Sequence, residues 1–363
     1  MKKIVILLVM SALLLSVTAQ VQVYPLNNLP EKGLKYTGAV TYALPTTTLK
    51  VTVSVSKVQD VRGYFADYAE SLLGLTNIIH QNRTHYVLNS VEIEPLTTAD
   101  LSNVYRAFTS NAVIAEAMNA ATIAPKTSYP DGYLTTYQTH TASLPEFFKN
   151  YADISYTQQQ ETFVDTKIID GVVTQVPANH TKTVSKSFEN KAREAADAIM
   201  KSRKDQYNLV AGEQETPYTG EALNIMLTEL KNWENNYMSL FTGVSIADTD
   251  QYVFYFTPNN KLDQMTAFYF DANKGLNPTN GAAADAYMLT FNARYPKMYQ
   301  VVEWYYPQSG FMTRNTQPVR VSLSHDKIVH DFGMVNMYQA GSMFVAQPST
   351  KEPIDLNKFG IVF

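Results

Sequence analysis

Leu49-Lys50-Val51-Thr52-Val53-Ser54-Val55 alternates apolar and polar side chains without a break. Successive side chains of a strand point to opposite faces, so this run is a strand with one covered and one polar face. In the middle of the chain the apolar spacing changes from two residues to three and four. From Ser187, Phe188, Ala192, Ala195 and Ile199 fall on one helical face, with Glu189 and Arg193 as an i,i+4 pair. Beyond Gly212 and Pro217, a second stripe runs from Leu223 through Met226, Leu230 and Trp233 to Tyr237 and Phe241. Thr219 has the chemistry of its N-cap and Gly243 that of its end. Two amphipathic helices joined by a short loop form an antiparallel helical hairpin over 187–243. Leu230 is expected to face the interior, on the same side as Leu223, Trp233 and Tyr237.

Strand signals lie on both sides of this hairpin. His85–Glu94 places Val87, Val91 and Ile93 opposite Glu92 and Glu94. Gly63 opens a short helical stretch whose Gly74 suits a C-cap, and Ile168–Val176 around Asp170-Gly171 reads as a β-hairpin. The period of Asn111–Ala124 does not decide between helix and strand. After Gly243 come Tyr252–Phe256, Met265–Phe270, Tyr287–Phe291, Val301–Tyr306, Val319–Leu323 and Ile328–Val335, at the intervals of a sandwich or curled sheet. The fold class is therefore α+β: antiparallel β-rich portions at both ends and a central amphipathic helical hairpin. The expected divisions are a leader at 1–19, an α+β domain at 20–243, a β-rich domain at 244–347 and a C-terminal tail at 348–363.

Lys2 and Lys3, the apolar run Ile4–Leu15 and the small-residue exit Val17-Thr18-Ala19 make residues 1–19 a secretory signal peptide, with Gln20 first in the mature chain. The apolar run falls short of the ~20 residues of a transmembrane helix. Export is expected: periplasmic, outer-membrane-associated or secreted, with no transmembrane span in the mature chain. Of 363 residues, 45% are apolar and 17% charged, the balance of a folded globule. A net charge of −4 without a basic block excludes nucleic acid as a natural partner. Cysteine is absent, so thiol chemistry is excluded and the core alone must hold an exported chain together. The 24 tyrosines and 17 phenylalanines favour strands.

Gly220-Glu-Ala-Leu223, Glu229-Leu230, Glu234 and Tyr237-Met-Ser-Leu-Phe-Thr-Gly243 resemble the exported family of Gram-negative gut-type bacteria called domain of unknown function 4831. Tyr42-Ala-Leu-Pro45 before the alternating strand is similar to that family's opening, as is Tyr64-Phe-Ala-Asp-Tyr-Ala69 leading into Leu73-Gly-Leu75. The chain departs from the pattern near the C-terminus. Gly310-Phe-Met-Thr-Arg314 is followed by Asn315 and Thr316 where the family places a proline, and Asp331-Phe-Gly333 replaces Gln-Phe-Gly. The resemblance implies export and an intact fold; it implies no activity and no site residue.

The residues themselves offer little chemistry. His80/His85 and His325/His330 are each five apart, a spacing that clamps no metal on a strand or a helix. Ser324-His325-Asp326 holds the letters of a hydrolase, but adjacent residues cannot line up nucleophile, base and orienter, and Asp326-Lys327 suits a hairpin tip. Asp271-Ala-Asn273-Lys-Gly275 begins like a calcium loop but brings its glycine one place early. Glu92 with Glu94, and Asp248 with Asp250, could serve a glycosidase only if partners converge in space. Trp304-Tyr305-Tyr306 is the most suggestive aromatic cluster; on a strand Trp304 and Tyr306 share a face, and they are the candidate ligand-binding residues. No catalytic residue, metal ligand or cofactor is assigned. The expected function is a non-catalytic envelope protein with a binding or assembly role and another envelope protein as partner. The alternative is a secreted, glycan-active hydrolase, and a third class is a small-ligand carrier.

Overall fold

A computed structural model describes residues 21–30, 35–121, 129, 132–151, 156–169, 172–213, 218–293, 304–348 and 355–362. The leader at 1–19, Asp170-Gly171 and residues 301–303 lie outside the described residues. Strand β1 (Gln22–Pro25) precedes β2 (Gly38–Val61), a 24-residue strand with the alternating run inside it. Leu49, Val51 and Val53 are fully buried, while Lys50, Thr52 and Ser54 are partly exposed, as period two requires. Helix α1 (Ala69–Leu73) ends on Gly74, whose φ of +69° is a left-handed cap. Strand β3 (Arg83–Thr109) contains the His85–Glu94 segment. The undecided stretch is α2 (Ala112–Ala120): Asn111 Oδ1 accepts from the N–H groups of Val113 and Ile114, and Ile114, Ala115 and Met118 are buried at helical spacing.

Strand β4 (Gly132–His140) and helix α3 (Glu146–Tyr151) lead to the hairpin of β5 (Tyr156–Ile169) and β6 (Val172–Ser185). Its register runs unbroken from Tyr156↔Ser185 to Ile169↔Val172. The helical hairpin follows as α4 (Phe188–Ala211) and α5 (Gly220–Thr242). Thr219 and Gly243 cap α5 as the sequence predicts, Thr219 accepting from Ala222; α4 is capped by Ser187, which accepts from Asn190, and by Gly212. The chain then returns to strands: β7 (Val244–Phe256), β8 (Met265–Asp271), β9 (Gly275–Asn277), β10 (Ala286–Ala293), β11 (Gln308–Ser309) and β12 (Phe311–Arg314). The last are β13 (Gln317–His325), β14 (Ile328–Met337), β15 (Met343–Ala346) and β16 (Ile361–Val362).

The largest sheet has the order β11-β1-β3-β2-β7-β4, with β16 also on β2; a second has the order β14-β13-β10-β8-β9. Two-stranded sheets pair β12 with β15 and β5 with β6. The fold is α+β with antiparallel sheets and a central helical hairpin, as the sequence predicts. The chain divides into two units, each assembled from separated stretches: residues 1–55, 88–137 and 250–363 form one, 56–87 and 138–249 the other. This division cuts the chain differently from the consecutive ranges 20–243, 244–347 and 348–363, because β2, β3, β4 and β7 each supply residues to both units. Strands that pass through a boundary leave no linker for a sequence to show.

In the first unit Val23, Tyr42, Leu44, Ile114, Phe311 and Met312 centre the core, and Tyr42 Oη donates to the Met312 carbonyl at 3.1 Å. In the second, Phe65, Phe148, Ala192, Ile199, Leu240 and Phe241 do so. Each such side chain contributes ~1.5–3 kcal/mol on burial. Gly63 lets the chain after β2 touch the end of α5: a Cβ there would lie 2.4 Å from the Leu240 carbonyl oxygen.

The predicted face of α5 needs correction. Trp233 is 61% exposed, Leu223 and Leu230 are half-buried, and Glu234 is buried in Trp233's place. The cause is α4, whose Arg203 and Gln206 meet Glu234; with Lys231 they fix the turn of α5 about its axis. Phe188, predicted on the inner face of α4, is also mainly exposed, with its ring edge-on to Phe65.

Candidate binding site

A run of three threonines in β2 helps to build a polar cleft in the first unit. Thr46, Thr47 and Thr48 are all buried because both faces of β2 are covered there. Thr48 Oγ1 lies 2.7 Å from Thr98 Oγ1 on β3 and 2.8 Å from Thr257 Oγ1 just beyond β7. Thr47 points the other way and is gripped by a short turn. Gln339 Nε2 donates to the Thr47 carbonyl at 2.6 Å, the Thr47 N–H donates to Gln339 Oε1 at 3.3 Å, and the Tyr338 N–H donates to Thr47 Oγ1 at 3.0 Å. Gln339, 1% exposed, thus pairs with β2 as a strand backbone would.

The cleft in front of these residues has a volume of about 400 Å³ and is lined by Thr46, Thr48, Asp100, Asn103, Asn259 and Gln339 among others, with Tyr129 at its edge. Tyr129 lies flat against Tyr255, ring centroids 4.0 Å apart. Asp100 is the carboxylate of the lining, and its oxygens are engaged. Oδ1 accepts from the Ser102 N–H at 3.1 Å, Oδ2 accepts from Asn103 Nδ2 at 2.9 Å, and Arg314 Nη2 stands 3.2 Å from Oδ2. Arg314 is buried, and its Nε and Nη1 meet no acceptor among the described residues.

Trp304 and Tyr306 do not share a strand face. They lie in irregular chain just before β11. Both are half-buried against the first unit's core, while Tyr305 between them is 80% exposed. Tyr306 sits beside Tyr105, ring centroids 6.4 Å apart. Burial, then a hydrogen bond to Tyr306, pushes the Tyr105 hydroxyl well above the ordinary tyrosine range. Tyr105 in turn lines a second polar cleft that shares Leu101, Ser102 and Asn103 with the first. Neither Trp304 nor Tyr306 is in the lining of these two clefts.

The other sequence candidates resolve into turns and ion pairs. Asp271 Oδ1 accepts from the N–H groups of Asn273 and Lys274, and Asp271 pairs with Gly275, so the calcium-like segment is a hairpin turn. Asp326, at φ +50°, forms the β13–β14 tip. His325 stacks on Tyr287 with centroids 4.2 Å apart, and its Nδ1 lies 3.2 Å from the Ala286 carbonyl. Glu94 pairs with Lys50 at 3.0 Å, and Asp248 accepts from the Ala142 N–H. Asp60 is held below the ordinary carboxylate range by hydrogen bonds from Ser245 and Arg83. Among the described residues no group of three His, Cys, Asp or Glu could hold a metal ion.

The family model described as domain of unknown function (DUF4831) matches residues 38–342, from the start of β2 to the residue before β15. The chain belongs to that family. No curated protein and no solved structure matches it. The DUF4831 match takes in the whole helical hairpin, the Thr46–Thr48 run and Arg314. No helix among the described residues is long and apolar enough to cross a membrane.

The sequence reading missed Asp100, Thr48, Asn259 and Gln339. The only local signals were a Thr-Thr-Thr run and the Asn259-Asn260 pair, neither of which names a chemistry.

Proposed function

We propose that this DUF4831 protein is an exported, non-catalytic component of a cell envelope that binds or assembles with other envelope molecules. The observation that carries the reading is the cleft at Thr48 and Asp100. Its walls offer hydroxyl and amide groups, which can both donate and accept, and its carboxylate is tied to a buried arginine and two N–H donors. A general base must present a free lone pair to the proton it removes, and three contacts already occupy the two Asp100 oxygens. A cleft of this size and polarity suits an uncharged, hydrogen-bonding ligand such as a glycan unit. Export rests on the character of residues 1–19.

The test combines binding with turnover. Thermal-shift titration with neutral oligosaccharides of envelope glycans should stabilise the purified chain, and Asn260→Ala, at an exposed residue of the cleft lining, should weaken that response with the fold intact. The same panel should remain uncleaved, and crosslinking in intact cells should capture an envelope component. Cleavage of any panel member, abolished by changing one acidic residue without loss of folding, would establish the secreted hydrolase instead.

A further inference from the structure

The helical hairpin of the second unit carries an open groove that the cleft does not explain. Leu209 of α4 and Ile225, Met226, Leu230 and Trp233 of α5 enclose about 610 Å³ on its surface. Trp233 and Ile225 are 61% and 58% exposed. Scattered apolar residues on a surface need no explanation, but a contiguous set around a concavity marks an interaction site. The set is also held in place. Ser202 Oγ donates to the Leu230 carbonyl at 2.7 Å, and the partners of buried Glu234 keep Trp233 turned outward.

The charge around the groove selects its occupant. Asp205, Glu213 and Glu229 belong to the lining, and among the described residues no lysine or arginine does. Arg203 and Lys231, cations on the same two helices, are directed at Glu234. A second copy of this chain would bring the same carboxylates against themselves, and an anionic lipid surface would meet like charge. We propose that the groove docks an amphipathic helical segment of another protein, its apolar residues on Trp233 and Leu230 and its lysines or arginines on Asp205, Glu213 and Glu229. Apolar anchors with a charged rim are the helix-in-groove mode of recognition, and the rim charges add steering and partner choice. This interface lies within the second unit and does not depend on the glycan reading of the cleft.

A synthetic amphipathic Leu/Lys helix, titrated into the full chain, tests the proposal. Trp233 emission should shift to shorter wavelength as the indole leaves water, and a Trp304→Phe background isolates that signal. Glu229→Lys, at an exposed position, should weaken binding about tenfold, and raised salt should weaken it further. Trp233→Ala should abolish the emission change and weaken binding by at least about tenfold, with the circular dichroism spectrum unchanged. A Leu/Glu helix should not bind. Equal binding of the Leu/Glu helix, or affinity indifferent to both substitutions, overturns the proposal. Self-association lost in Trp233→Ala, or capture by phosphatidylglycerol vesicles, overturns it in favour of a second copy or a membrane surface.

Discussion

Trp233 and Glu234 are consecutive on α5, yet the indole is mainly exposed and the carboxylate is buried. Neighbours on a helix are ~100° apart around its axis, so turning one onto α4 turns the other away. Glu234 is turned inward because three donors wait there: Arg203 Nε at 2.8 Å, Lys231 Nζ at 2.9 Å and Gln206 Nε2 at 3.1 Å. The Lys231 hydrogen bond, with those from Arg203 and Gln206, outweighs burial and holds the carboxyl at about 2.

Glu234→Ala should therefore lower the unfolding free energy by ~1–3 kcal/mol, the cost of losing several charge-assisted bonds at a packed position. The loss stays moderate because Arg203 and Lys231 are about half exposed and recover water when the carboxylate is gone. Urea unfolding followed by circular dichroism measures it. A change no larger than that of Asn235→Ala on the exposed face would mean that the node does not hold the hairpin.

The same carboxyl gives a pH signature. Its folded pKa, about 2, lies below the ordinary 4.5, so its stabilisation is complete above about 4.5 and is lost as pH falls towards about 2. A shift of this size corresponds to at most ~3 kcal/mol, reduced by solvent screening at the half-exposed cations. Asp60 is shifted in the same direction and acts with the same sign. The gap in melting temperature between the native chain and Glu234→Gln should close across this acidic window. A gap of constant size down to the acid limit would remove Glu234 as its source.

What the sequence made legible was local. Alternation along Leu49–Val55, the Thr219 and Gly74 caps and the Asp326-Lys327 tip each depend on a few neighbouring residues, and each is found. The inward face of α5 was not legible, because its apolar stripe is wider than α4 can cover and the choice rests with Arg203 and Gln206. The cleft was less legible still. Thr48 meets Thr257 across 209 positions and Thr47 meets Gln339 across 292, distances over which no periodicity carries information. Trp304 and Tyr306 were assigned to a strand and lie in irregular chain.

Gly341 should tolerate no side chain. A Cβ there would stand 1.6 Å from the Asn315 carbonyl oxygen, and that backbone cannot step aside while Asn315 Oδ1 accepts from the Ser342 N–H at 2.6 Å. Gly341→Ala should cost several kcal/mol, in the range of severe single substitutions. Gly333→Ala is the control: it introduces strain at φ +82° but meets nothing within 4 Å. Chemical unfolding of both variants decides the point: Gly341, at φ −78°, carries no such strain, so a loss no larger than that of Gly333→Ala would show that the Asn315 backbone gives way to the new Cβ.

Asp100 and Arg314 supply the sharpest test of how the cleft is held. The Arg314 side chain is 3% exposed and Asp100's 15%, and the ion pair at 3.2 Å is the charge partnership that Arg314 has among the described residues. Removing one partner of a buried pair strands the other, at ~3–5 kcal/mol, whereas replacing both by neutral groups costs far less. Asp100→Asn keeps the shape and the acceptor for Ser102, so its cost reports the stranded guanidinium. Arg314→Met keeps the length of the chain and should cost less, since Asp100 lies nearer water and retains Ser102 and Asn103. The double variant Asp100→Asn/Arg314→Met should then be more stable than Asp100→Asn alone. Urea unfolding of the three variants gives the coupling directly. If the two single losses simply add in the double variant, Arg314 is not held in the wall by Asp100, and the assignment of Asp100 to structure rather than chemistry loses its support.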